Sequence, residues 1–266
     1  MVRSHPNKRL LQSIQQNVRN TNGKKLLKEC EEFDTVSALS LLRDNSLGCT
    51  LYYCNSDNKT ALILACENNM EEVALEILTQ YSCNPSLFCC ALGHSGDDSY
   101  TAFMFACRNR MVEVCMEMLK APNCCFLDNK DKTNTTPLMI VCYNNMTEVA
   151  LKMLDTPDIC ALPTSNRNGN TALILACRNN MEQVCMKMLE HHTECNISHE
   201  NNMFLPETHV PTYRYTAWRY ARKNRMEAVC ERIREILDED VNDNDKNNNA
   251  CGGKRKRDDD DRDKKK

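Results

Sequence analysis

Thr60-Ala61-Leu62-Ile63-Leu64-Ala65-Cys66 returns almost unchanged as Thr171-Ala172-Leu173-Ile174-Leu175-Ala176-Cys177. Looser copies open at Thr101 (TAFMFAC), Thr136 (TPLMIVC) and Thr216 (TAWRYAR). A unit that recurs at a period of a few tens of residues decides the architecture before any other signal does. With each threonine as position zero, methionine stands at +10 in all five copies (Met70, Met111, Met146, Met181, Met226). Valine stands at +13 in each (Val73, Val114, Val149, Val184, Val229). A weaker sixth copy is read upstream, with Gly23 at zero, Phe33 at +10 and Val36 at +13. The anchors 23, 60, 101, 136, 171 and 216 lie 37, 41, 35, 35 and 45 residues apart. Spacing is constant within units and varies only between them, as expected of packed helices joined by surface loops.

Two helices are predicted per unit. The first follows the threonine, whose hydroxyl can accept from an amide of the first turn that lacks a partner within the helix. Its apolar residues fall at +2, +4 and +5, as in Leu62, Leu64 and Ala65. Asparagine recurs at +8 in five copies and at +9 in three (Asn69, Asn145, Asn180), the residue that most often replaces glycine in a left-handed helix end. The second helix opens with an acid at +12 in three copies (Glu72, Glu113, Glu148) and at +11 in a fourth (Glu227), favourable near a helix N-terminus. It continues through Val73, Ile77 and Leu78, which make one apolar stripe. The unit is a short antiparallel helical hairpin, and copies of it stack into a solenoid.

These residues resemble the ankyrin repeat, whose first helix opens Thr-Pro-Leu-His-x-Ala. Thr136-Pro137-Leu138 keeps that opening, Asp131-Lys132-Thr133-Asn134-Thr135 is similar to the turn before it, and Gly169 stands at the family's turn glycine. The family's histidine is replaced by Ile63, Met104, Met139, Ile174 and Arg219, and the units exceed the usual repeat of about 33 residues. The asparagine-, methionine- and cysteine-bearing repeats look like the ankyrin proteins that large (giant) DNA viruses carry in many copies. The fold expected is therefore all-α: an ankyrin-type helical-hairpin solenoid of about six stacked repeats over residues 23–237. Residues 1–22, with Leu10, Leu11, Ile14 and Val18 on one helical face, are read as an N-terminal capping helix or basic segment. Residues 238–266 are read as a disordered charged tail, since nothing in them can bury a core.

Eighteen cysteines raise the question of disulfides or zinc. Cys66, Cys107, Cys142 and Cys177 all fall at +6, where the ankyrin pattern has alanine, and Cys115, Cys185 and Cys230 fall at +14, where Ala74 and Ala150 stand in other copies. A cysteine that exchanges with alanine behaves as a small apolar side chain. Cys83, Cys124, Cys160 and Cys195 recur at +23 or +24. The cysteines are read as free structural thiols of a reducing, intracellular compartment, cytoplasmic and/or nuclear in a host cell. No Cys-x2-Cys pair is present, and His191-His192-x-x-Cys195-x-x-x-His199 is one cluster without a partner pair, so no metal site is predicted. No membrane span, cofactor or catalytic constellation is found either: there is no nucleophile elbow, phosphate loop or His-Glu metal motif. Net charge is −3, which argues against direct nucleic-acid binding.

The resemblance implies a non-catalytic module or adaptor that binds host or viral proteins, as a monomer. The longest interruption, 191–215, carries Tyr213, Arg214 and Tyr215, residue types enriched at interface hot spots, and these are the partner-binding candidates. Lys254-Arg255-Lys256-Arg257 in the tail reads either as a nuclear-import signal or as part of a solubilising segment. The alternative function is a nuclear or chromatin-associated factor localised by that tail. Trp218, at +2, is expected in the core.

Overall fold

A computed structural model describes residues 20–44, 51, 53–82, 92, 95–97, 99–156, 160–201 and 215–238. Its helices are α1 (helical residues 20–31), α2 (Thr35–Arg43), α3 (Ala61–Glu67), α4 (Glu71–Ser82), α5 (Ala102–Arg108), α6 (Val112–Met118), α7 (Pro137–Tyr143), α8 (Thr147–Met153), α9 (Ala172–Arg178), α10 (Glu182–Leu189), α11 (Ala217–Lys223) and α12 (helical residues 227–238). Among the described residues there is no strand, only isolated bridges Cys54–Thr60 and Ser95–Thr101. The helices form two layers. One row runs α3–α5–α7–α9–α11 and the other α2–α4–α6–α8–α10, each helix packed on the next in its row.

The threonine caps form as predicted. Thr60, Thr101, Thr136, Thr171 and Thr216 each sit in extended backbone and accept, through Oγ1, the amide three residues on, at 3.2–3.4 Å. Each such cap stabilises its helix by about 1 kcal/mol. The five valines at +13 are fully buried and the five methionines at +10 nearly so. Helices of seven residues are marginal alone, so this continuous core holds them.

The asparagines divide between two tasks. At +9 the backbone is left-handed (Asn69, Arg110, Asn145, Asn180 and Arg225, φ 56–60°), as a helix end requires. At +8 it is not, with φ between −86 and −95°. There the side chain reaches across to the preceding unit. Nδ2 of Asn68, Asn109, Asn144, Asn179 and Asn224 donates to the carbonyls of Cys30, Cys66, Cys107, Cys142 and Cys177 at 2.7–2.9 Å. One unit's asparagine thus satisfies the open carbonyl end of its neighbour's first helix.

That ladder corrects the register of the first unit. Gly23 is expected at position zero, but α1 runs through the 22/23 boundary, and the buried columns and the Asn68–Cys30 bond fit a count that starts one residue later. Lys24 holds the zero position instead. Counted from it, Leu26, Cys30, Ala38 and Leu42 occupy the buried +2, +6, +14 and +18 columns, and Cys30 accepts from Asn68. Phe33 falls on the left-handed +9 position (φ 62°) and is 65% exposed, while Val36 is 80% exposed. Phe33 and Val36 mimicked the methionine and valine columns one residue out of step. Residues 1–19 lie outside the described residues.

Two further expectations change. Trp218 packs against the core but is only partly buried, unlike Leu62, Phe103, Leu138 and Leu173 at the same +2 position. The Arg222 guanidinium lies 5.3 Å over its ring. Cys124 is not a free thiol; it is disulfide-bonded. The buried +24 residue of that unit is Cys125, one residue later. Cys125, Cys160 and Cys195 each point Sγ at the carbonyl of the +17 methionine, at 3.2, 3.3 and 3.0 Å. Cys124 sits half-buried in the turn Pro122–Cys124, where register gives no protection.

Candidate functional site: the inner groove

Between the buried +6 residue and the ladder asparagine at +8 lies one position that the repeat does not hold constant. At +7 the chain has Glu67, Arg108, Tyr143, Arg178 and Lys223. These are the last residues of α3, α5, α7, α9 and α11, and all but half-buried Glu67 are exposed. Their flanks are pinned by the ladder at +8 and, in all but the last unit, where +6 is the exposed Arg222, by the core at +6. The row is consequently displayed at a fixed rise by rigid elements.

Facing it are the turns that precede each threonine. In 131–135 the Asp131 carboxylate accepts from the Thr133 amide, the Thr133 hydroxyl and the Thr135 amide at 2.7–2.8 Å. The Tyr100 hydroxyl adds a fourth bond at 3.1 Å. Burial works to raise the Asp131 pKa, but these donors outweigh it and hold the carboxyl below its ordinary value. Asn166 repeats the motif one unit on, accepting from the amides of Asn168 and Asn170 at 3.0 Å. The Arg167 amide donates to Thr133 O at 2.9 Å, so consecutive turns are bonded to each other.

The two sides enclose a groove of about 440 Å³. Its helix side is Arg108, Met139, Ile140, Tyr143, Asn144, Leu175 and Arg178; its turn side is Tyr100, Thr135, Asn166, Asn168 and Asn170. No acid lines it. Tyr143 is 63% exposed, a large aromatic surface held in the open. Among the described residues the Arg108 and Arg178 guanidinium groups make no ion pair or hydrogen bond. The contrast with the neighbouring unit is direct. There Lys59 Nζ meets the two Glu67 carboxylate oxygens at 2.7 and 2.8 Å and lies 5.3 Å over the Phe105 ring. That end of the row is already neutralised.

Of the partner-binding candidates in the long interruption, Tyr215 is tied into the fold. Its amide donates to Asn201 Oδ1 at 3.0 Å, its carbonyl accepts from the Asn201 amide at 3.1 Å, and its ring stacks on Tyr220 at 4.9 Å. Asn201, fully buried, also donates to Asn170 Oδ1 at 3.0 Å. Tyr213 and Arg214, like Lys254–Arg257, lie outside the described residues. The sequence reading passed over Arg108, Tyr143 and Arg178. The signal available was their column, variable between two columns that are nearly uniform.

The histidine loop brings no metal set together. Cys195 is 1% exposed and occupied with Met188 O, and no group of three or more metal-ligating side chains occurs among the described residues. Burial pushes the Cys66 and Cys142 thiols well above their ordinary value and those of Cys125, Cys160 and Cys195 up to about 12. Thiols that keep their protons are poor nucleophiles and poor ligands. No helix among the described residues is long and apolar enough to cross a membrane.

Residues 103–201, the stretch that contains Arg108, Tyr143 and Arg178, match the family model for ankyrin repeats in three copies. No curated protein matches the chain. Among solved structures, a chain from the Bd0816 predatory endopeptidase of Bdellovibrio bacteriovorus in complex with immunity protein Bd3460 superposes with a TM-score of 0.51 at 18% identity, over 79% of this chain and 96% of that one. Residues 103–201 thus carry the ankyrin-repeat match, and the described residues around them fold as an all-helical stack of such hairpins.

Proposed function

We propose that this chain is a non-catalytic protein-binding module or adaptor, which takes up a partner in the groove between the turns and the first helices. The observation that carries this reading is the Arg108–Tyr143–Arg178 row: exposed, rigidly held and without ionic partners among the described residues. Tyrosine and arginine are the residue types that dominate interface energetics. The structural neighbour comes from a complex of two proteins, which fits a fold used for association. The character of the repeats supports a finer version, a viral ankyrin protein that engages host or viral proteins as a monomer in the cytoplasm or nucleus of a host cell. The test is affinity capture by the intact chain and by Tyr143→Ala/Arg178→Ala, with helical content matched by circular dichroism. A partner held by the first and released by the second supports the reading; partners held equally by both move the site elsewhere.

A second reading rests on Lys254-Arg255-Lys256-Arg257, a basic run of the kind read by import receptors. In it the chain is a nuclear or chromatin-associated factor that its tail localises. Deletion of 251–266 separates the two. Lost nuclear accumulation with retained capture leaves the groove as the module and the tail as an address; loss of all association makes the tail the functional part.

A further inference from the structure

We infer that the groove's partner is an extended acidic segment of a protein, with two carboxylates about five or six residues apart that bridge Arg108 and Arg178 and an apolar residue between them on Tyr143. This inference rests on the groove being the binding face, and it adds the chemistry of what binds there. Three observations carry it. Among the described residues the groove's lining has two guanidinium groups and no acid. Neither guanidinium has an ionic partner among the described residues, whereas Glu67 in the same row already has Lys59 at 2.7 Å. Asp131, hydrogen-bonded to the groove's Tyr100, is spent on Thr133 and Thr135 and cannot turn to either arginine.

The spacing follows from the stack. Arg108 and Arg178 end α5 and α9, with α7 between them, and packed helices lie about 8–10 Å apart, so the two charges are separated by about 16–20 Å. An extended chain covers that distance in about five or six residues. Tyr143, at the end of α7, falls at the midpoint and offers an aromatic face to an apolar side chain. A guanidinium pairs bidentately with a carboxylate. Phosphate is the poorer fit, because a dianion is held by cations that converge on one point, and these two stand on opposite sides of Tyr143. Nucleic acid is poorer still for a protein of net charge −3 with two cations in the groove.

Random dodecapeptides displayed on phage are selected against the intact chain, in parallel with Arg108→Glu/Arg178→Glu; both positions are exposed, and circular dichroism confirms the fold of the variant. The expected result is enrichment of Asp or Glu pairs spaced five or six apart around an apolar residue. Such peptides, resynthesised with a fluorophore, bind the double variant at least tenfold more weakly, bind Tyr143→Ala at least tenfold more weakly, and weaken with added salt. Peptides that lack acids, or that bind the double variant equally well, overturn the acidic segment and leave a binding module of other specificity. No selection above background by the intact chain overturns the groove as a peptide site and with it the function proposed above. Retention of a labelled single-stranded oligonucleotide, abolished by the double variant, overturns the acidic segment in favour of nucleic acid.

Discussion

Two columns one residue apart in the same helices have opposite characters. At +6, Cys30, Cys66, Cys107, Cys142 and Cys177 are fully buried, and their carbonyls receive the ladder asparagines. At +7, the side chain changes from unit to unit, and Arg108, Tyr143 and Arg178 line the groove. The first column decides whether neighbouring units hold together; the second adds almost nothing to that and is available for recognition. A solenoid in which each unit touches only its neighbours separates stability from specificity this cleanly because no residue is shared between distant units.

High pH gives the largest test of that division. Buried Cys125, Cys160 and Cys195 keep their protons to about 12, whereas in the unfolded chain they lose them near the ordinary value of 9.0. Burial raises the Cys66 and Cys142 thiols in the same direction. The folded state binds more protons, so its stability is complete below pH 9 and is lost as pH rises toward 12. Thermal melts from pH 8 to 11.5 should show that fall, and Cys66→Ala/Cys142→Ala, which places the family's alanine at +6, should flatten it. An unchanged slope would mean that these two thiols are not the groups that resist ionisation.

A cut inside one unit comes next. Leu138→Ala opens a void at a fully buried +2 position and should cost about 2–5 kcal/mol in urea unfolding. Asn144→Ala leaves the carbonyls of Cys107 and Arg108, bonded at 2.9 and 3.3 Å, without their donor and should cost about 1–3 kcal/mol. If Asn144→Ala proves silent, the ladder is geometry without energetic weight. The smallest stability effect belongs to the +7 column. Arg108→Ala/Tyr143→Ala/Arg178→Ala should leave unfolding within about 0.5 kcal/mol of the parent while partner capture is lost. A large loss of stability in that triple variant would erase the distinction between the columns.

The first unit shows how far the periodicity carries and where it stops. Five units announce themselves because threonine, methionine and valine recur at fixed offsets, and a cap bond between residues three apart is local enough to be read from spacing. Residues 24–43 have none of the three markers in place, and Phe33 and Val36 supplied false ones. Only burial and the Asn68–Cys30 bond placed Lys24 at zero. The same limit explains Cys124 against Cys125: both thiols fit a column defined as +23 or +24, and one lies in the core while the other lies in a turn. For the groove, the variable column is legible in the sequence, but the long interruption that carries Tyr213-Arg214-Tyr215 is the louder signal.

What the amino-acid order determined by itself is the unit: a capped seven-residue helix, a left-handed turn and an antiparallel partner. Every bond that defines it joins residues a few positions apart. What only the tertiary structure decided is the use of each column. Whether the asparagine at +8 caps its own helix or its neighbour's, and whether Arg108 and Arg178 meet an acid or open space, depends on where the next unit lies. That placement is set by the summed packing of two helical layers, an interaction between residues 35 or more positions apart that no local pattern records.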